Sequence, residues 1–243
     1  MGPVGGAGKT SESSQKLKAV AFDLDGTLYP NYRLYLRLLP QLLRHPVFYN
    51  AFSRARDLLH QDKSETPEQF TSFYDRQAAL VAGFLKKDPQ KTKQRLEILV
   101  YECWEGYFSG IELFPGLKET LLALKEAGLR LAVLSDFPPA KKLTILGLDG
   151  VFDVALSSEE TGALKPSKVP FNALAAALGV TNGEILYVGN SLQFDIEGAK
   201  SAGMKAALIR QNVFRTGLIP KNSAVKADFV FQDYRQLQEY ILQ

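Results

Sequence analysis

The stretch Lys18-Ala-Val-Ala-Phe-Asp-Leu-Asp-Gly-Thr-Leu28 constrains the fold more than any other. An apolar run, Ala19 to Phe22, ends abruptly in two carboxylates, Asp23 and Asp25, followed by Gly26 and Thr27. A short continuous apolar run closed by turn residues fits a fully buried strand of a parallel sheet. Open α/β sheets bind ligands outside the carboxyl ends of their strands, which is where both aspartates would stand. Their i, i+2 spacing suits a division of labour: one side chain meets a reacting centre while the other moves protons beside it. Gly26 permits the tight turn that must follow.

Beyond Phe114 the pattern alternates. Strands are expected over residues 129–134, 151–156, 184–188, 206–209 and 229–231, with helical segments between them that mostly stop at glycines such as Gly128, Gly147, Gly179 and Gly203. Strands separated by helices of this length imply right-handed βαβ units and a parallel sheet. The 30–111 segment between the first strand and this region is too long for a loop, so it must carry structure of its own. Its apolar spacing is helical throughout: residues 33–43, with Pro40 expected to kink or split the helix; 46–59, with Pro46 in the first turn; 66–86; and 88–107, with Asp88 as N-cap and Pro89 behind it. The fold class is therefore α/β, a three-layer Rossmann-like core with a parallel sheet and an inserted all-helical unit. The core would comprise residues 16–29 and 112–243, and the Gly- and Ser-rich residues 1–15 would be a disordered tail. Gly5-Gly-Ala-Gly-Lys9-Thr10 in that tail imitates a phosphate-binding loop, but Pro3 stands where the pattern needs glycine and no strand precedes it.

Composition excludes several classes. The net charge is +3, with no basic stripe interleaved with aromatics, so nucleic acid is not an expected partner. No apolar stretch approaches the ~20 residues of a membrane helix, and no signal peptide is expected. A single cysteine, Cys103, fits a reducing compartment, so the expected location is the cytoplasm and the expected state a monomer or homodimer.

Four motifs now fall in order. DLDGT at residues 23–27 resembles the first motif of the haloacid dehalogenase superfamily of phosphohydrolases. Leu131-Ala-Val-Leu-Ser135-Asp136 resembles the second, a strand ending in Ser or Thr. Gly162-Ala-Leu-Lys165-Pro166 resembles the third, and Ile185-Leu-Tyr-Val-Gly189-Asn190 with Asp195 the fourth. The resemblance covers the chain from about Lys16 to its end. It implies that Asp23 is a nucleophile that forms an aspartyl-phosphate, and that Asp25 is general acid, then general base. It further implies that Ser135, Asp136 and Lys165 bind phosphate, and that magnesium is held by Asp23, the Asp25 carbonyl and Asn190 or Asp195. It also makes the helical insert a cap over the site. The chemistry is coherent: a phosphate dianion repels nucleophiles unless cations and oriented donors surround it, and carboxylates do serve as covalent nucleophiles.

One position departs from the family. Asn190 stands where an aspartate is usual, which removes one negative charge, although an amide oxygen still suits a hard cation. The expected function is magnesium-dependent hydrolysis of a small phosphate monoester, with a phosphoglycolate, sugar-phosphate or nucleotide type of substrate. The alternative is a catalytically impaired member that binds a ligand or partner. Mutase chemistry would use the same core residues. The dehalogenase branch has no need of an acid at Asp25. In the basic first half of the insert, Tyr29, Tyr32 and Arg33 lie closest in sequence to the nucleophile. They are the expected substrate contacts, while the remaining arginines are expected to be largely a solvated face.

Overall fold

The computed structural model describes residues 16–62, 72–210 and 225–243. The tail and its loop imitation lie outside them. Six strands form one wholly parallel sheet: β1 (Ala19–Phe22), β2 (Arg130–Ser135), β3 (Val154–Ser157), β4 (Ile185–Gly189), β5 (Lys205–Ile209) and β6 (Phe229–Phe231), in the order β3-β2-β1-β4-β5-β6. Strand β1 is central, with Phe22 level with Val133 on one side and Val188 on the other. The strand order reverses between β1 and β4, and the crevice at such a switch point is where α/β sheets bind ligands.

The residues of β1 alternate between two cores, which makes the sheet the middle of three layers. Val20 and Phe22 face α5 (Leu117–Glu126) and α9 (Tyr234–Leu242) through Leu117, Leu121, Tyr234 and Leu237. Ala19 and Ala21 face α7 (Lys168–Leu178) and α8 (Glu197–Ser201) through Phe171, Leu174, Leu178 and Ala199. Every residue of β1 is fully buried, as a doubly covered parallel strand requires. Ser167 caps α7 from its hydroxyl, and Gly179 ends the helix in the left-handed region.

The insert is helical, as expected: α1 (Asn31–Arg44), α2 (Pro46–Gln61), α3 (Phe73–Leu85) and α4 (Pro89–Leu96). Two expectations need correcting. Pro40 neither splits nor ends α1, which runs on to Arg44. The amide bond that proline removes would have gone to Leu36, on a face open to water, because Leu36 is 65% exposed. The last insert helix is not uniform either. Asp88 caps it as expected, but the winding widens to a π-turn over Glu97–Glu102 and tightens to 3-10 over Cys103–Phe108. Part of the sequence expected to begin α3 lies outside the described residues. Phe48, Phe52, Ala78, Val81, Leu96 and Val100 form the insert's own core, and Phe137, just beyond β2, packs against it. Leu34 and Leu38 of α1 instead join the core beneath the sheet. One short helix remains, α6 (Ala140–Ile145), behind the carboxyl end of β2. Among the described residues no helix is long and apolar enough to cross a membrane.

Candidate active site

Three strands deliver their ends to one place. Asp23 follows β1, Ser135 ends β2, and Asn190 follows β4. The third motif supplies Lys165 from the loop before α7. Its ammonium lies 2.7 Å from Asp23 Oδ1 and 2.7 Å from Asp195 Oδ1, and 3.3 Å from the Tyr187 hydroxyl. Thr27 donates its hydroxyl to the other Asp23 oxygen at 2.8 Å. Burial opposes the charge on Lys165, but Asp195 and Asp23 outweigh it and hold the ammonium well above its ordinary range. Burial pushes the Asp23 carboxyl up, against the pull of Lys165. Further positive charge beside Asp23 would favour the ionised form that a nucleophile requires.

Asp25 is held separately. Lys142 of α6 donates to both of its oxygens, at 2.9 and 2.7 Å, and Tyr29 donates its hydroxyl to Oδ1. The two aspartates thus have different cations, one buried in the sheet and one on the side of the insert. The turn between them is tight. Gly26 has φ +91°, and a Cβ there would stand 2.0 Å from Asn190 Nδ2, so a side chain is excluded on both counts.

Asn190 sits where the fourth motif puts it, and its amide nitrogen donates to the Asp25 backbone carbonyl at 3.2 Å. Asp195 is fully engaged: Oδ1 takes Lys165, and Oδ2 accepts the amides of Asn190 and Ser191 at 3.1 and 3.0 Å. Gly189 allows this approach, since a Cβ on it would lie 2.3 Å from the Asp195 Cβ. Asp195 therefore braces Lys165 and the turn after β4. No group of three or more His, Cys, Asp or Glu side chains forms a metal cage among the described residues. The oxygens that fit a hard cation are an Asp23 oxygen, the Asp25 carbonyl and Asn190 Oδ1 after a half-turn of its amide. One carboxylate and two neutral oxygens suit an ion that keeps several waters.

Ser135 is buried and accepts the Phe137 amide at 3.3 Å, which leaves its hydroxyl proton for another acceptor. The Asp136 carboxylate lies 3.8 Å from Arg56 and 3.5 Å from His60. Burial opposes its charge, yet Lys165, Arg56 and His60 together hold it below the usual carboxylate value. Of the three expected substrate contacts, Tyr29 reaches Asp25. Arg33 turns to Glu112 at 2.5 Å on the surface, with Tyr32 beside it.

Sequence reasoning missed the groups that come from far along the chain. Arg56, read as part of a solvated face, is 7% exposed and donates to the fully buried Glu159. His60, one turn on, lies with Nδ1 2.6 Å from the Lys165 carbonyl and its ring on Phe194. Lys142 gave no signal in the pair Lys141-Lys142. Thr27 was legible only as a turn residue.

The model of the haloacid dehalogenase-like hydrolase family matches residues 17–203. The chain belongs to the haloacid dehalogenase-like hydrolases. Within that family, a glyceraldehyde 3-phosphate phosphatase of Methanopyrus kandleri is 28% identical over 229 residues, 93% of this chain and 97% of that protein. A phosphoglycolate phosphatase of Haemophilus influenzae is 30% identical over 236 residues, 91% of this chain and 97% of that one. Among solved structures, a HAD phosphatase from Thermococcus onnurineus superposes with a TM-score of 0.58 at 26% identity, covering 93% of this chain and 98% of that one. Phosphatases of the family are generally metal-dependent.

Proposed function

We propose that this haloacid dehalogenase-like hydrolase is a magnesium-dependent phosphatase that cleaves a small phosphate monoester through an aspartyl-phosphate. One observation carries the reading: the Asp23 carboxylate stands at the carboxyl end of β1, 2.7 Å from the buried Lys165 ammonium, with a second acid two residues on held by a cation of its own. Asp23 attacks phosphorus and the bond to the ester oxygen breaks. Asp25 gives that oxygen its proton and the alcohol leaves. Asp25 then takes a proton from water, which attacks the same phosphorus, frees inorganic phosphate and restores the Asp23 carboxylate. Lys165 and the Ser135 hydroxyl meet the phosphoryl oxygens; Asp23, the Asp25 carbonyl and Asn190 would hold a metal ion, which would supply further positive charge there. The insert at 30–111 acts as the cap that excludes water. The lone Cys103 is unpaired, which supports a reducing, cytoplasmic setting.

A second reading, a member that binds but does not turn over, is favoured by the Asn190 amide, whose N–H faces the carbonyl that would ligate the metal. Beryllofluoride, a mimic of the aspartyl-phosphate, separates the two without any choice of substrate. A phosphatase binds it with magnesium and loses that binding, together with phosphate release from any ester, in Asp23→Asn. Absence of binding in the unaltered protein at high magnesium would sink the phosphatase reading.

A further inference from the structure

A cavity of about 530 Å³ lies against the acid of the site. Its walls are α3, α4 and the π-turn of the insert on one side, and Phe137, Pro138 and α6 of the core on the other. Three lining residues touch the site. Lys142 lines the cavity and holds both oxygens of Asp25. Phe108 lines it and packs edge-on against Tyr29, the other partner of Asp25. Phe137 lines it two residues beyond Ser135.

The direction matters chemically. Asp25 protonates the ester oxygen, so the leaving alcohol must lie on the Asp25 side of phosphorus. The cavity is on that side. It is also large: pockets of ~300–1,000 Å³ hold ligands of drug size, and a glycolate or a triose would fill a small part of this one.

The lining specifies the chemistry. Rings of Phe108, Phe137, Tyr74 and Tyr101 line it, with Leu96, Val100 and Ile145 among the aliphatic groups. The polar end of Tyr101 is committed elsewhere, since its hydroxyl accepts Gln77 at 2.8 Å and donates to Glu159 at 3.1 Å. What Tyr101 offers a ligand is therefore ring surface. The Lys142 ammonium stands 4.9 Å from the Phe108 ring centre and 5.3 Å from that of Phe137, so the charge nearest the acid is itself faced by aromatic rings. The aromatic wall fits a flat, apolar guest, while Gln77, Lys93, Glu97, Glu102, Lys141 and Lys142 supply the polar groups around it.

We infer that the cavity is the leaving-group site, and that the preferred substrate is a phosphate monoester of an aromatic or bulky apolar alcohol rather than of glycolate or a triose. The inference rests on the phosphatase reading above and narrows its substrate class.

Rates of phosphate release from 1-naphthyl phosphate and phosphoglycolate test it in the unaltered protein. The kcat/KM for the naphthyl ester is expected to be at least tenfold the higher. Ile145, 41% exposed, lines the cavity one turn along α6 from Lys142. Ile145→Trp is expected to lower the naphthyl-to-glycolate ratio of kcat/KM at least tenfold. Calorimetry needs no variant: naphthylmethylphosphonate is expected to bind at least tenfold tighter than methylphosphonate. A preference for phosphoglycolate, or equal binding of the two phosphonates, overturns the inference. If beryllofluoride binds through Asp23 while either of those results is found, only the leaving-group assignment falls. If beryllofluoride does not bind and no ester is cleaved, both it and the phosphatase reading fall.

Discussion

Asn190 is an amide where the family usually carries a carboxylate. The position lies beside the Asp25 carbonyl, and the second acid of the motif, Asp195, has both oxygens committed to Lys165 and to backbone amides. A metal ion held by Asp23, the Asp25 carbonyl and Asn190 would therefore meet one formal negative charge where a second could stand. Asn190→Asp restores that charge without changing side-chain size. It is expected to tighten magnesium binding about tenfold, or ~1.4 kcal/mol, as read by calorimetry and by the magnesium concentration for half-maximal rate. An unchanged affinity would mean that position 190 does not ligate the ion, and that the Asn190 amide serves only to pin the Asp25 turn. The glycine at 26 is part of the same arrangement, because only a residue without Cβ lets the amide approach so closely.

At the scale of elements, α2 ties the insert to the catalytic loops. It places Arg56 and His60 four residues apart on one face, where helix geometry makes such pairs neighbours. Arg56 lies against Glu159 and His60 against the Lys165 carbonyl. Arg56→Met would leave the Glu159 carboxylate buried without a counter-charge, and an expected loss of ~3–5 kcal/mol follows at pH 8. Adding Glu159→Leu should recover most of it, since an apolar pair of similar size can replace a buried ion pair. Urea midpoints of the two variants check this, and a double variant no more stable than Arg56→Met would refute it. This seam is also where the sequence stopped being legible. The strand ends could be read because each motif is local: an apolar run, then its polar residue, then a glycine or proline. The helical nature of the insert could be read from its spacing. The rotation of α2 could not, because a buried arginine and a solvated one look alike, and Arg56 meets its partner 103 residues away. Lys142 meets Asp25 across 117 residues for the same reason. The uneven winding after α4 has no local marker such as a proline.

Over the whole molecule, one arginine at this seam faces two carboxylates, and the pH decides how they share it. Asp136 keeps its charge, held low by Lys165, Arg56 and His60 against the effect of burial. Burial pushes Glu159 up from 4.5 to about 7, although Arg56 lies against it, and its Oε2 is buried with no hydrogen-bond partner among the described residues. A carboxyl whose pKa is higher folded than unfolded binds its proton more tightly in the native state. Between pH 4.5 and 7 the native protein therefore carries a proton that the unfolded chain lacks, and stability falls as pH rises through that window. The slope approaches ~1.4 kcal/mol per pH unit, or about 3 kcal/mol across it. His60 has the opposite sign: burial lowers it, so its contribution is lost as pH falls below 6.5. The net profile of the unaltered protein mixes these terms, but Glu159→Gln isolates one of them. The variant keeps His60 and Asp136 and mimics the neutral acid at all pH values. Urea midpoints measured from pH 4.5 to 8 should show the unaltered protein losing up to about 3 kcal/mol relative to Glu159→Gln as pH rises. A difference that stays constant across the range would mean that Glu159 is ionised throughout, and that Arg56 alone outweighs the burial.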